Sequence, residues 1–248
     1  MKPFELGLIG QPLTHSRSAE YFNSRFNRLS IPGRYINMPL RDISELPEVL
    51  AEHPLLIGFN VTAPYKQAVI PYLARLSPEA VAVGAVNTVK IVRTDFGTEL
   101  CGFNTDAAGF RESLRPMLNP SRPHRALILG SGGASRAVSH ALSELGVESL
   151  IVSRKSAPGR ITYGELDEGI YRDYDIIINA TPLGTFPATD AAPAIDYSRL
   201  TPAHICYDLV YNPPLTRFLQ EALKQGALVR NGLQMLRLQA DAAYAIWV

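Results

Sequence analysis

Residues 125–138, Arg-Ala-Leu-Ile-Leu-Gly-Ser-Gly-Gly-Ala-Ser-Arg-Ala-Val, restrict the fold more than any other stretch of this 248-residue chain. The apolar run up to Leu129 reads as a buried strand, and the glycines from Gly130 as a turn. A helix follows through Ser139-His140-Ala141-Leu142 until Gly146 ends it. Val147 to Ser153 reads as a second strand, which completes a βαβ unit. A nucleotide pyrophosphate needs that order: the strand aims the turn, glycines let backbone N–H groups approach the phosphates, and the helix N-terminus adds partial positive charge. The same residues also serve a plain strand-to-helix turn. The complete order of strand, turn, helix and strand favours the nucleotide. Ser135 stands where the usual pattern has its third glycine, and is small enough for close helix–strand packing.

The end of the second strand separates two cofactors. An NAD site usually carries an acid there to hold the ribose hydroxyls. This chain has Ser153-Arg154-Lys155 instead, while Glu148 lies at the other end of the strand. Two cations and a hydroxyl suit a 2′-phosphate, which the Arg154 guanidinium can grip as a planar fork. The competing reading is a solvated pair of loop cations. NADP is favoured over NAD.

Composition excludes other classes. With 46% hydrophobic and 19% charged residues and a net charge of +1, nothing predicts a nucleic-acid or membrane partner. Cys101 and Cys206 form no disulfide or zinc pattern, and the apolar run Leu6–Ile9 is too short for a signal peptide, so a cytoplasmic protein is expected. In chain order, strands are expected over 4–10, 35–38, 55–61, 85–92 and 99–103, the last two as an antiparallel pair turning through Asp95-Phe96-Gly97. Helices are expected from about Ser16 or Ser18 to Leu29, over 43–51 and 65–73, and from about Thr105 to Leu118. The Pro-rich stretch 119–123 marks a boundary before the nucleotide unit. Strands over 175–180 and 204–211, a helix over 216–225 and a closing amphipathic helix over 232–247 complete an α/β chain.

Two helix starts invite chemistry. Ser16 and Ser18 either cap their own helix or hold a carboxylate at its N-terminus. Lys66 follows Asn60-Val61-Thr62-Ala63-Pro64-Tyr65 and is either solvated or functional. A cation in a first helical turn opposes the dipole, which suits a proton donor working near neutral pH. Asp106, after Asn104-Thr105, is either a cap or a carboxylate with work to do.

Taken together, Ser16-Arg17-Ser18, residues 60–66, Gly84-Ala85-Val86-Asn87-Thr88, Gly102-Phe103-Asn104-Thr105-Asp106 and residues 130–135 resemble the shikimate dehydrogenases. Asn179-Ala180-Thr181-Pro182-Leu183-Gly184, Tyr207-Asp208-Leu209-Val210-Tyr211-Asn212-Pro213 and Asn231-Gly232-Leu233-Gln234-Met235-Leu236 continue the match in the same order. The resemblance implies an N-terminal α/β substrate-binding domain (1–105), an NADP-binding Rossmann domain (106–231) and a C-terminal helix (232–248) packing back on the first domain. It implies reversible reduction of 3-dehydroshikimate to shikimate by NADPH, in a monomer or homodimer with no metal. Carried over by motif, Lys66 and Asp106 form the catalytic pair and Ser16 and Ser18 bind the substrate carboxylate. Thr62, Asn87, Asp106, Tyr211 and Gln239 contact ring hydroxyls, and Asn60 and Gly232 line the same site. Gly130, Ser131, Gly132, Gly133, Ala134, Ser135, Ser153, Arg154, Lys155, Ala180, Thr181, Leu209 and Gly232 hold the cofactor. Two departures stand out. Thr185 occupies a place where a methionine is frequent, and the segment between Arg154 and Asn179 is short by part of a strand–helix unit. The alternatives are an NAD-using quinate/shikimate relative and a non-catalytic ligand sensor on the same fold. Intact Lys66 and Asp106 argue against the sensor.

Overall fold

The structure, a computed structural model, describes residues 2–13, 16–95 and 97–248. Its contacts divide the chain into two compact units, Met1–Thr105 with Ala240–Val248, and Asp106–Gln239. The expected hairpin residue Phe96 lies outside the described residues.

In the first unit, β1 (Phe4–Gly10), β2 (Gly33–Pro39), β3 (Leu56–Val61), β4 (Arg75–Leu76), β5 (Thr88–Thr94) and β6 (Gly97–Phe103) form one sheet, in the order β2-β1-β3-β5-β6-β4. β1 runs parallel to β2 and β3, while β5 is antiparallel to β3 and β6. β1 is buried along its whole length and alternates between two cores. Phe4, Leu6 and Leu8 pack with Phe22 and Phe26 of α1 (Ser18–Arg28) and with Ala240, Ala243 and Trp247 of the terminal helix. Ile9 packs on the other face with Leu46 of α2 (Leu46–Glu52), Phe59 and Val89. This two-residue alternation is what a strand covered on both faces requires. The indole of Trp247 donates to the Val89 carbonyl at 2.9 Å, and Asp241 accepts from Tyr21 and pairs with Arg25, so the last turns of the chain are bound into this unit.

Two local expectations are corrected. Residues 65–73 form consecutive turns and a short 3-10 helix (Ile70–Tyr72), with no α-helix. The Lys66 carbonyl, which an α-helix would give to Ile70, accepts instead from the Val86 N–H at 2.8 Å, and Ile70 N–H turns to Gln67. Conversely, α3 (Pro78–Val83) was not anticipated, although its signals are ordinary. Ser77 caps the Ala80 N–H, Pro78 opens the first turn and Gly84 closes it with φ of 66°.

The second unit has one wholly parallel sheet. It is built from β7 (Arg125–Leu129), β8 (Glu148–Ser153), β9 (Arg160–Thr162), β10 (Ile176–Asn179), β11 (Ile205–Asp208) and β12 (Leu228–Arg230), in the order β12-β11-β10-β7-β8-β9. Read from β7, this is the doubly wound 3-2-1-4-5-6 arrangement, with its switch point between β7 and β10. The helices are α4 (Asp106–Leu114), α5 (Gly133–Glu144), α6 (Glu168–Asp173), α7 (Arg217–Lys224) and α8 (Leu233–Trp247), whose last turns belong to the first unit. Pro116 has no N–H to continue the α ladder, so α4 gives way to a 3-10 turn (Arg115–Met117) earlier than expected. The short segment after Arg154 keeps a reduced strand and helix, β9 and α6.

Candidate active site

In the first unit the expected substrate residues Ser18, Asn60 and Asn87 are joined by one buried polar chain. The Ser18 hydroxyl donates to the phenol of Tyr35, which donates to Asn60 Oδ1 at 2.8 Å. Asn60 Nδ2 donates to the Asn87 carbonyl at 3.0 Å and to Thr88 Oγ1 at 3.1 Å, its cross-strand neighbour. Thr88 Oγ1 donates to Asn87 Oδ1, which also accepts the Thr105 N–H at 2.7 Å, and Asn87 Nδ2 donates to Thr105 Oγ1. Tyr35 is stacked on Phe22, with ring centroids 4.7 Å apart, and burial pushes its phenol pKa up, so it stays protonated. Both polar ends of Asn60 are therefore spent inside the protein, and it acts on its surroundings through the chain.

Ser16 and Ser18 stand at the N-terminus of α1, whose cap residue Arg17 gives no side-chain bond; Ser16 Oγ accepts from Ser18 N–H at 3.3 Å. Thr62 and Lys66 are half-buried just past the end of β3. Lys66 sits in the run of turns described above and not in the first turn of an α-helix, which corrects the expected placement.

In the second unit, Asp106 opens α4, and Gln239 of α8 packs against Gly109 one turn further along that helix. Tyr211 is half-buried beyond β11.

The glycine turn follows β7 at the switch point, where open α/β sheets bind ligands. Gly130 has φ of 108°, which a side chain resists, and a Cβ there would lie 3.0 Å from Thr181 Cγ2. At Gly132 and Gly133, by contrast, a Cβ would meet nothing within 4 Å. The protein itself leaves that space open, as a cradle for an incoming group. α5 begins there with no side-chain cap and no acid in its first turn; Ser135 N–H goes back to the Gly132 carbonyl at 3.1 Å, and the N–H groups of Gly133 and Ala134 face an incoming anion. Ser135 is buried and donates to the Gly130 carbonyl at 2.8 Å, holding the turn shut from below. Beyond β8, Ser153 donates to the Lys155 carbonyl at 2.5 Å. Arg154 and Lys155 are exposed, and among the described residues neither is tied up in an ion pair. This donor set fits NADP.

On the other side of the switch point, the expected cofactor residues Ala180, Thr181, Leu209 and Gly232 lie around a buried carboxylate that sequence reasoning missed. Asp208 and Asn179 end adjacent strands in register. Asp208 accepts from Asn179 Nδ2 at 3.0 Å, from Val210 N–H at 2.9 Å and from the Thr216 hydroxyl at 2.5 Å. Asn179 Oδ1 in turn accepts from the N–H and hydroxyl of Thr181, which follows Ala180. Leu209 is bound to the Asn179 carbonyl, and Gly232 N–H to that of Val210. A Cβ on Gly232 would fall 2.1 Å from the Leu209 carbonyl oxygen, so only glycine fits. Burial pushes the Asp208 carboxyl up to about 6, against its three hydrogen bonds. A polar residue ending an otherwise apolar strand, in Ile176-Ile177-Ile178-Asn179 and Ile205-Cys206-Tyr207-Asp208, was the available signal.

Residues 8–89 match the family described as shikimate dehydrogenase substrate binding domain. The shikimate dehydrogenase (NADP(+)) of Crocosphaera subtropica is 37% identical to this chain, across 98% of it and 90% of the relative. Among solved structures, the Thermus thermophilus shikimate 5-dehydrogenase in complex with NADP(H) and shikimate superposes with a TM-score of 0.85 at 33% identity, over 99% of this chain and 93% of that one. The quinate dehydrogenase of Corynebacterium glutamicum in complex with NAD gives 0.86 at 29% identity, over 99% and 94%. With its doubly wound sheet, its open glycine cradle and relatedness running nearly end to end, the chain belongs to the shikimate dehydrogenase family.

Proposed function

We propose that this chain is an NADP-dependent shikimate dehydrogenase, reversibly reducing 3-dehydroshikimate to shikimate on the route to chorismate and the aromatic amino acids. The observation that carries the reading is the bare cradle at Gly132 and Gly133 at the switch point, in a unit whose next strand is followed by the exposed cations Arg154 and Lys155. When bound, the nicotinamide supplies or accepts the hydride. The chain's own residues do the rest. Backbone donors from Ser131 to Ala134 hold the pyrophosphate, with Gly130 and Ser135 shaping the turn through their own bonds to Val152 and Gly132. Arg154 and Lys155 take the 2′-phosphate, and Ser153, whose hydroxyl goes to the Lys155 carbonyl, fixes the loop that carries them. Ala180, Thr181, Leu209 and Gly232 border the nicotinamide.

On the substrate side, Ser16 and Ser18 take the carboxylate, the Ser18 hydroxyl turning to it from the Tyr35 phenol, and Thr62, Asn87, Tyr211 and Gln239 take the ring hydroxyls. Lys66 gives a proton to the oxygen on which negative charge develops, or stabilises that charge, and Asp106 is its partner in the step. Asn60 contributes through the buried chain that fixes Ser18 and Asn87. The unpaired thiols Cys101 and Cys206 suit the cytoplasm. A monomer or homodimer belongs to the same reading, and among the described residues no helix is long and apolar enough to cross a membrane.

The second reading, an NAD-using quinate/shikimate enzyme, draws on the likeness to the quinate dehydrogenase. Ser153-Arg154 in place of an acid opposes it. Mixing the purified protein with shikimate and NADP+ tests the proposal: reduced nicotinamide should accumulate, and its failure to form with either oxidised cofactor rejects the activity.

A further inference from the structure

Asp208 has no role in the chemistry above, yet it is the hub of the loops beside the switch point. It is fully buried, and its two oxygens receive donors from three separate elements: Asn179 at the end of β10, Val210 beyond β11, and Thr216 at the start of α7. Through Asn179, the same hub reaches both donors of Thr181 and the Leu183 carbonyl, which accepts from Asn179 Nδ2 at 3.2 Å. The Thr181 hydroxyl then accepts the Leu183 N–H at 3.2 Å, closing the turn on itself. Thr181 Cγ2 and the Ala180 backbone stand 3.0–3.3 Å from the position a Cβ would take on Gly130. The hub therefore braces the wall against which the phosphate turn is built.

A fully buried aspartate is a poor choice for structure alone, because desolvating a charge is costly and a neutral side chain could bridge the same loops. Its gain is that a carboxylate accepts all three donors at once, with charge-assisted strength and fixed geometry.

We propose that Asp208 is a positioning residue for the cofactor: its carboxylate, through Asn179 and Val210, holds the Ala180–Thr181 turn and Leu209 in the arrangement that binds NADP. The inference rests on the reading of the second unit as the NADP site. It does not depend on which substrate is oxidised.

The test is Asp208→Asn, which keeps the shape and the acceptor for Asn179 and Val210 but removes the charge. NADPH affinity is read by titrating the fluorescence of the reduced nicotinamide, with thermal melting followed on the same samples. At pH 8 the Kd for NADPH should rise five- to thirtyfold, the KM for shikimate should stay within twofold, and the melting temperature should be equal or higher, because a buried charge has been removed. In the wild type the Kd should also rise as the pH falls through about 6, and more steeply than in the variant, where only the 2′-phosphate of NADPH, with its second ionisation at about 6, still titrates in that range. The ionisable groups sharing this neighbourhood are Tyr197, Cys206, Glu221 and Arg217. The Tyr197 phenol and the Cys206 thiol are both pushed up, the latter to about 12, so neither changes charge in that range.

An unchanged Kd at pH 8 overturns the proposal. So does a parallel loss of NADPH affinity, shikimate KM and melting temperature, which is the signature of general destabilisation. If Asp208→Asn does not fold, Thr216→Val removes one donor from the carboxylate and, with it, the side-chain cap of α7, so some melting temperature is lost; the Kd for NADPH should still rise two- to fivefold with the KM for shikimate within twofold, and no rise in Kd again overturns it. A wild type that binds NADPH yet leaves shikimate untouched would reject the assigned substrate while leaving this test intact.

Discussion

The two units brace their polar side chains in opposite ways. In the first, Ser18, Tyr35, Asn60, Thr88, Asn87 and Thr105 form a chain of neutral hydroxyls and amides, each donating to the next. In the second, a single carboxylate gathers three donors at Asp208. A neutral chain carries no charge through the physiological pH range, but every broken link leaves a buried group unsatisfied, at about 1–3 kcal/mol. A charged hub gives stronger individual bonds, and its strength depends on its own protonation. The difference fits the proposed tasks: one unit holds a small, densely hydroxylated ring, while the other fixes loops around a large anionic cofactor.

This contrast can be broken in descending order of effect. Lys66→Ala should lower kcat by about 10²–10⁴ and leave the KM for shikimate within a few-fold, because the group acts mainly in the transition state. Steady-state kinetics check this, and full activity removes Lys66 from the mechanism. Arg154→Ala, in the other unit, should weaken NADPH by about 10- to 100-fold, the worth of one or two charge-assisted bonds, and NADH hardly at all. Equal weakening of both cofactors, measured by titration, contradicts a 2′-phosphate grip.

Tyr35→Phe deletes one oxygen from the neutral chain, depriving Asn60 Oδ1 of its donor and Ser18 of its acceptor. Stability should fall by about 1–2 kcal/mol in a denaturant titration. The KM for shikimate should rise several-fold, with no new pH dependence between pH 6 and 9. At Asp208 the expected effect in the wild type is on stability, through its pH dependence. Its carboxyl is raised from 3.8 to about 6 in the fold, so the folded state favours the proton. The associated stability is fully present below pH 4 and is lost as the pH rises through about 6, amounting to roughly 2–3 kcal/mol. The wild type should therefore lose melting temperature relative to Asp208→Asn between pH 4 and 7. A gap that stays constant across that range contradicts a buried, ionising carboxylate.

Much of this was legible in the chain. Glycine punctuation and apolar runs located β7, α5 and β8, and Ser153-Arg154-Lys155 pointed to the cofactor before any geometry was known. Short strands such as β4, β9 and β12 were not legible, since two or three residues carry no periodicity and exist only because a neighbouring strand pairs with them. The missing helix at Lys66 was invisible for a similar reason: a long-range bond from Val86 takes the Lys66 carbonyl. Tyr35 read only as the first residue of a short strand. Its polar role depends on Ser18 and Asn60, 17 and 25 residues away in sequence, arriving at the same phenol oxygen.

The most direct test of this division of labour measures two constants side by side, the KM for shikimate and the Kd for NADPH, in Tyr35→Phe and Asp208→Asn. Each substitution should move its own constant several-fold and leave the other within twofold. If both variants shift both constants together, the neutral chain and the charged hub are parts of one undivided framework, and the two units do not divide the work in this way.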